Sequence, residues 1–383
     1  MNKIPTGAAS NKKEPIVQRT KSGSKKTTMA DVMTQPVLTP SPRPEKTNRI
    51  GLTADAYKGA ESTLCSGCGH DSITSQIIKA CYETGISPYN VAKLSGIGCS
   101  SKTPAYFLSK SHGFNAVHGR MPAVSAGVNL ANRSLKIIGV SGDGDTASIG
   151  MGQFVHMMRR NLDIVYIIEN NGVYGLTKGQ FSATADMGSA QKKGDINEMI
   201  PIDCCGLAIE LGCTFVARSF SADMKQLTAL LKIALHHKGT AVLDVVSPCV
   251  TFNNHEGSTK SYKYAKDHEL ALHDIDFIEH YEPQTPLDIA EGETHNITMY
   301  DGSMIRLKKL GEEYDPTDRK NAIITLEKAR QEQLFLTGLL YIDKTRRSFA
   351  EQCNMIDEPL FNLTQEQTRP SPKVLEEIMA SLT

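Results

Sequence analysis

The chain carries no excess charge of either sign: 42 Lys and Arg stand against 42 Asp and Glu, so the formal net charge over 383 residues is zero. A globally basic surface for nucleic acid is therefore excluded. No apolar run approaches the roughly 20 residues needed to span a bilayer. The N-terminal segment lacks the apolar core that a secretory signal requires, and no internal repeat is visible. Nine cysteines, an odd number, in a chain without an export signal argue against a disulfide framework and for free thiols or metal ligands. A cytoplasmic protein is expected, with no nucleic-acid or membrane partner.

What is present divides the chain into three. Residues 1–50 are rich in Ser, Thr, Pro and Lys, with ten Lys/Arg against three Asp/Glu, and read as a disordered basic tail or a weak transit-peptide candidate. Residues 51–255 carry an α/β pattern. Helices are expected over 71–84, 122–132, 147–160, 203–211 and 222–236. Strands are expected over 91–94, 135–141 (LKIIGVS), 163–169 (DIVYIIE), 214–217 and 241–246 (AVLDVV). Continuous apolar strands alternating with helices indicate a mainly parallel sheet covered on both faces. Residues 256–383 are more polar. They read as an extended, partly irregular arm to about 321, a helical stretch over 321–350, and a short terminal helix after Arg369-Pro370-Ser371-Pro372.

The densest chemistry lies between Gly142 and Asn171. The strand over 135–141 runs into Gly142-Asp143-Gly144-Asp145, and the strand over 163–169 runs into Asn170-Asn171-Gly172. The intervening length is that of a βαβ crossover, which places the two strand ends side by side. Ligands bind outside the carboxyl ends of parallel strands. Gly142 and Gly144 let the backbone turn sharply near a phosphate, and the following helix offers free N–H groups. Asp143 supplies a carboxylate oxygen and Asn171 an amide oxygen, a hard set suited to Mg²⁺ or Ca²⁺ beside a diphosphate.

The cysteines fall into two groups. Cys65-Ser66-Gly67-Cys68-Gly69-His70 is a Cys-x-x-Cys knuckle, which alone suits zinc (with His70 as a further ligand), an iron–sulfur centre or a redox dithiol. Cys99, in Gly96-Ile97-Gly98-Cys99-Ser100-Ser101, and Cys249, in Ser247-Pro248-Cys249, lie in loops after expected strands, and so gather on the edge that carries the diphosphate turn. Together these cysteines offer four thiolates, the ligand set of a [4Fe–4S] cluster. Cys81, Cys204, Cys205, Cys213 and Cys353 read instead as small buried hydrophobes.

These motifs, with His118-Gly119-Arg120 and Tyr174-Gly175-Leu176-Thr177-Lys178-Gly179-Gln180, stand in an order that resembles the beta subunit of 2-oxoacid:ferredoxin oxidoreductases, particularly the 2-oxoglutarate synthase branch. The resemblance covers about residues 60–255. It implies the thiamine diphosphate-binding fold, with Mg²⁺ held by Asp143, Asn171 and the carbonyl of Val173. Diphosphate contacts fall to Gly142, Gly144, Asp145, Tyr174, Gly175, Leu176 and Thr177. Ile97, Gly98, Ser100 and His118 lie near the thiazolium or diphosphate, and Cys65, Cys68, Cys99 and Cys249 hold a [4Fe–4S] cluster. Lys178 and Lys102 are the candidates for the distal carboxylate of a dicarboxylic oxoacid, and the alternative for each is a solvated surface charge.

The implied reaction is a reversible, coenzyme A-dependent oxidative decarboxylation of a 2-oxoacid, with electrons passed to ferredoxin. The family's activating glutamate comes from a pyrimidine-binding domain, for which no second α/β segment of sufficient size is found here. An alpha subunit is therefore expected to supply it, in a heterodimer or a dimer of heterodimers, with the C-terminal arm wrapping that partner. Three alternatives stay open: a subunit acting on pyruvate or another oxoacid, an iron–sulfur-free thiamine enzyme, and a non-catalytic zinc-binding interaction module.

Overall fold

The protein, seen here in a computed structural model, is described for residues 46–191, 194–282, 294–309 and 314–382. The basic tail expected over 1–50 lies outside the described residues up to position 45. The described residues form thirteen strands: β1 (Val91–Ser95), β2 (His112–Asn115), β3 (Lys136–Gly142), β4 (Ile164–Asn170), β5 (Val173–Tyr174), β6 (Gln180–Phe181), β7 (Phe215–Phe220), β8 (Thr240–Val246), β9 (Glu269–Ala271), β10 (His273–Ile278), β11 (Thr294–Thr298), β12 (Met304–Lys309) and β13 (Phe335–Ile342).

The main sheet has the order β2-β1-β3-β4-β8-β7-β13-β9. Its first six strands are mutually parallel. β13 joins β7 antiparallel, and β9 pairs parallel with β13. β4 and β8 are buried at every position, which explains why each carries a run of consecutive apolar residues rather than an alternation. Their side chains point alternately to the two faces. In β4, Val165 and Ile167 enter one core while Ile164, Tyr166 and Ile168 enter the other.

Helices α1 (Gly69–Glu83) and α5 (Met224–His236) cover the first face through Ile73, Ile77 and Ala80 and through Leu227, Leu230 and Leu231. The second face is covered by α2 (Met121–Ala131), α3 (Met151–Arg160) and α4 (Cys204–Glu210), with Met121, Phe154 and Ile209 fully buried. Each such side chain stabilises the fold by roughly 1.5–3 kcal/mol. From β1 the chain moves outward to β2 and then returns to β3 on the other side of β1. The β1/β3 boundary is thus a topological switch point, where a crevice opens at the carboxyl ends of the strands.

Beyond residue 255 the structure departs from the sequence reading. The segment read as an irregular arm holds helix α6 (Tyr262–His268) and an antiparallel sheet of order β10-β12-β11. Ile275, Phe277, Ile297, Ile305 and Leu307 of that sheet pack into the core of the first face. The stretch read as helical over 321–350 is helical in α7 (Arg319–Gln331) and again only from Phe349. Between these it becomes β13, which is buried at all eight positions. The charged face of α7 masked this change of period. The terminal helix forms as expected, at Pro372–Ser381. No helix among the described residues is long and apolar enough to cross a membrane.

Asn161 ties the far end of this frame. It ends α3 in the left-handed conformation with φ 56°, which asparagine tolerates better than most residues. Its Oδ1 accepts from Thr214 Oγ1 at 2.8 Å and from the Thr240 N–H at 2.9 Å, and its carbonyl accepts from the Phe349 N–H at 2.9 Å. Replacing it with alanine strands the buried Thr240 N–H and puts an alanine at positive φ, so Asn161→Ala should lower unfolding stability by about 2–4 kcal/mol in urea titration.

Three buried histidines give the fold an acid limit. Burial lowers His70 to about 4, His237 to about 3 and His273 to about 4. His273 Nε2 accepts the Leu339 N–H at 3.0 Å, so that nitrogen must stay unprotonated. The unfolded chain binds a proton at each near pH 6.5, whereas the folded chain does so only well below. Each histidine therefore costs stability as pH falls from 6.5 towards 4, by up to about 1.4 kcal/mol per pH unit. Urea midpoints measured at pH 7, 6 and 5 should fall, and His237→Gln should flatten part of the slope.

Candidate cofactor site

Four loops leave the carboxyl edge of the parallel sheet and converge. The loop after β1 carries Gly96–Cys99, that after β3 carries Asp143–Asp145, that after β4 carries Asn171–Tyr174, and that after β8 carries Ser247–Cys249. One cleft is lined by Ile97, Gly98, Cys99 and Ser100 from the first loop. Gly142 to Asp145 form its second wall, and Asn171, Val173, Tyr174 and Gly175 its third.

Asp143 is almost wholly buried. Its carboxylate accepts from the Gly172 N–H at 3.1 Å, from the Thr184 hydroxyl at 2.5 Å and from the Ser182 hydroxyl. Burial raises its pKa, against the pull of these donors. Among the described residues no cationic side chain lies within 4 Å of it, so this buried anion is met only by neutral donors. Asn171 is buried beside it, and its Oδ1 accepts the Val173 N–H at 3.1 Å. A carboxylate, an amide oxygen and the loop carbonyls on one cleft form the hard oxygen set that a Mg²⁺ ion takes, so these residues fit the cation that the sequence implies.

Two glycines here have steric reasons. A Cβ on Gly144 would lie 2.5 Å from the Tyr174 ring, whose hydroxyl donates to the Gly144 carbonyl at 2.9 Å. A Cβ on Gly96 would lie 2.1 Å from Asp145 Oδ2. Asp145, from which a diphosphate contact is expected, lines the cleft, and its side chain has a second task. Its carboxylate accepts from the Gly119 N–H at 2.7 Å, from the Ser141 hydroxyl at 2.9 Å and from the Ile97 N–H at 3.3 Å. It staples the 96–97 and 118–119 loops to the end of β3. The helix expected from 147 begins instead with a π-helical turn over Gly144–Ile149, before α3. Wide turns of this kind recur at functional sites.

The knuckle cysteines sit at the start of α1. The Cys68 N–H donates to the Cys65 carbonyl at 3.0 Å, and Gly67 takes φ 79°. Cys65 is exposed, while Cys68, Cys99 and Cys249 are half-buried. A Cβ on Gly175 would stand 3.4 Å from Cys99 Sγ and 3.6 Å from Cys249 Sγ, so the glycine keeps open the space between these two sulfurs. Burial first, then Glu169, Cys249 and Cys99, push the Cys68 thiol up to about 12. Burial and Cys249 raise Cys99, with Lys102 opposing. Metal coordination would deprotonate such thiols outright.

Their spacing speaks to which centre. Thiolates around one zinc at about 2.3 Å stand about 3.8 Å apart. Among the described residues no three cysteine sulfurs lie within 4.8 Å of one another. The four cysteines interact electrostatically without closing to zinc spacing, a donor set that fits a [4Fe–4S] cluster better than a single ion. His70, weighed as a zinc ligand, is otherwise engaged: its Nδ1 lies 2.7 Å from Ser247 Oγ, and its Nε2 lies 3.6 Å from Glu169. A second group, Asp203, Cys205 and Asp244, has metal-like spacing, but the Arg218 guanidinium already donates to both carboxylates.

The remaining expected residues lie outside the cleft lining. Leu176, Thr177, Lys178 and His118 are exposed on its surroundings. Lys178 adopts φ 80°, an uncommon value for a non-glycine residue that marks a constrained loop. Lys102 is half-buried, with Nζ 3.4 Å from Thr63 Oγ1. Cys81, Cys204, Cys205 and Cys213 are buried as expected, whereas Cys353 is exposed and does not pack as a core residue.

Sequence reasoning missed Glu169. It is fully buried against the cleft, within 2.9 and 3.0 Å of the Thr103 hydroxyl, and burial raises its pKa well above the usual carboxylate range. Burial holds both Glu169 and His70 neutral, so their 3.6 Å contact is polar rather than ionic. The signal was an acidic residue closing an all-apolar strand.

Comparison with known proteins agrees with this geometry. Residues 96–245 match the thiamine pyrophosphate enzyme C-terminal TPP-binding domain, and residues 296–358 match the C-terminal family of the pyruvate ferredoxin oxidoreductase beta subunit. A 2-oxoacid:ferredoxin oxidoreductase beta subunit of Saccharolobus solfataricus is 45% identical over 193 residues, half of this chain and 63% of that protein. The 2-oxoglutarate synthase subunit KorB of Methanocaldococcus jannaschii is 36% identical over 216 residues, 55% of this chain and 78% of that one. Thus the matched part of the chain spans less than two thirds of the first of these relatives and more than two thirds of the second. Among solved structures, 2-oxoglutarate:ferredoxin oxidoreductase from Magnetococcus marinus, with 2-oxoglutarate, coenzyme A and succinyl-CoA bound, superposes with a TM-score of 0.66 at 27% identity, covering 87% of this chain and 96% of that one. The fold is that of the thiamine diphosphate-binding enzymes, and the chain belongs to the beta-subunit family of 2-oxoacid:ferredoxin oxidoreductases.

Proposed function

We propose that this chain is the beta subunit of a cytoplasmic 2-oxoacid:ferredoxin oxidoreductase that prefers 2-oxoglutarate. In the oxidative direction a 2-oxoacid, coenzyme A and two oxidised ferredoxins give the acyl-coenzyme A, CO₂, two reduced ferredoxins and one proton. With 2-oxoglutarate the product is succinyl-coenzyme A. One observation carries the reading: the Asp143/Asn171/Val173 turn and the loop of Cys99 line a single cleft, with Cys249 against its Gly175 wall.

Asp143, Asn171 and the carbonyl of Val173 would hold Mg²⁺, and Cys65, Cys68, Cys99 and Cys249 would hold a [4Fe–4S] cluster. Thiamine diphosphate supplies the carbanion-stabilising chemistry that the protein's own side chains lack. The chain's residues position and shield. Asp145 fixes the loops on both sides of the diphosphate turn. The backbone around Gly144 gives a diphosphate a close approach, limited by the Tyr174 ring. Lys102, whose charge lowers Cys99, and Lys178, held out on a constrained loop, are the candidates for a distal carboxylate.

An alpha subunit would supply the pyrimidine-binding domain and its activating glutamate. Support comes from the loop after β6, where Met187, Ile196, Met199 and Ile200 are 62–81% exposed. Asn197, in the same loop, is buried and donates to the carbonyls of Ala185, Asp186 and Met199, so these apolar side chains are displayed from an ordered backbone. Ordered apolar groups facing outward mark a protein interface. Coenzyme A and ferredoxin would meet the assembled complex.

Two outcomes are expected. Co-purified with its partner, the chain should reduce ferredoxin fastest with 2-oxoglutarate across an oxoacid panel containing coenzyme A, while the purified single chain turns over none. Turnover by the chain alone would refute the shared site, and 2-oxoglutarate among the poorest substrates would refute the preference. Separately, Cys99→Ala should lose the iron and the visible absorbance that bleaches on reduction. Zinc without iron in the wild-type protein would overturn the cluster assignment.

A further inference from the structure

We propose that the five-residue turn Cys249–Asn253 is a strut that couples the cysteine knuckle to the cation-binding turn, with Asn253 positioning Asn171 and Thr251 donating a hydrogen bond to the sulfur of Cys65. The inference rests on the reading above that Asn171 and the four cysteines serve a cation and a cluster.

The strut begins where β8 ends. The Ser247 N–H donates to the Asn170 carbonyl at 2.8 Å, so the strand exit is already registered against the cation-binding loop. Two residues on, the Cys249 carbonyl accepts from the N–H groups of Phe252 at 3.2 Å and Asn253 at 2.9 Å, which closes a tight turn. Three successive side chains of that turn then reach three different parts of the site. Thr251 Oγ1 lies 3.7 Å from Cys65 Sγ. Phe252 lies against Gly179, where a Cβ would come within 2.7 Å of the ring. Asn253, only 5% exposed, donates through Nδ2 to the main-chain carbonyl of Asn171 at 2.8 Å.

The last contact is specific. A Cβ on Gly172 would lie 2.8 Å from the same Asn253 nitrogen, so the glycine after Asn171 makes room for this amide. The Asn171 side chain is oriented by the Val173 N–H, and its main chain by Asn253. Partners behind a metal ligand that hold its orientation change affinity without touching the metal. A shift of Cys249 towards a metal centre is transmitted through a closed turn to Asn171, and the reverse. Occupancy of the two centres is therefore linked, and the linkage is reciprocal.

The test uses the full chain co-purified with its partner, with Mg²⁺-dependent binding of thiamine diphosphate read by calorimetry, alongside iron content and cluster midpoint potential. Asn253→Asp keeps the shape but turns the donor into an acceptor facing a carbonyl. Mg²⁺ affinity should weaken at least tenfold, with iron content unchanged. Stripping iron from the wild-type protein should weaken Mg²⁺-dependent binding several-fold, and should have no such effect in Asn253→Asp. Thr251→Val, at a solvent-facing position, should leave Mg²⁺ affinity alone and move the midpoint to a more negative value, because hydrogen bonds to cluster sulfurs raise it. Unchanged Mg²⁺ affinity in Asn253→Asp, an equal effect of iron removal in both proteins, or an unchanged potential in Thr251→Val would each overturn the strut. Wild-type protein that shows no Mg²⁺-dependent binding would instead overturn the parent reading, and the strut with it.

Discussion

The hydrogen bonds of the Asp145 carboxylate are the constraint on which the site depends. A buried anion that accepts the N–H groups of Ile97 and Gly119 and the hydroxyl of Ser141 welds three segments that are far apart in sequence. Leaving such donors unpaired in the interior would cost about 1–3 kcal/mol each. The loops are therefore not free to wander, although loops at a strand edge ordinarily are. Gly96 is the condition for this weld, because a side chain there would occupy the position of the carboxylate oxygen.

Around that weld the cleft is built from groups that are costly to bury alone. Asp143 is held by neutral donors, Glu169 by a threonine hydroxyl, and the half-buried thiols of Cys68 and Cys99 are raised by burial and by the Cys249 thiol. Charge elsewhere in the interior is handled differently: Arg218 is paired with Asp203 and Asp244. The contrast separates a structural ion pair, which is complete, from a cleft whose buried acids are met by neutral hydrogen-bond donors rather than by a cation in contact.

The parallel core was legible because its strands are short apolar runs separated by helices of clear 3.6 period. β3, β4 and β8 fall within a residue or so of their expected bounds. The Asp143/Asn171 pair, Cys99 and Cys249 were legible because each follows such a strand, and Cys65 and Cys68 because they form a Cys-x-x-Cys knuckle before α1. Edge elements were not. β2 is wholly exposed and reads His-Gly-Phe-Asn, with no apolar run to announce it. β13 follows directly on the charged helix α7, whose period hid it. The alternation in Asp274-Ile275-Asp276-Phe277 did mark β10, but it was lost within a polar stretch.

The sequence by itself determined which chemistry is carried, because residue types and their distance from strand ends are local properties. Hard oxygen donors after two strands and thiols in three loops follow from the order of residues alone. What those residues do with their side chains was decided only by the tertiary structure. The Asp145 side chain became a staple between loops, and His70 became the partner of Ser247 rather than a zinc ligand. Glu169 and Asn253 entered the site without any motif to mark them. The reason is physical: a buried polar group takes the partners that lie within hydrogen-bond reach, and those partners come from loops that only the parallel sheet brings together.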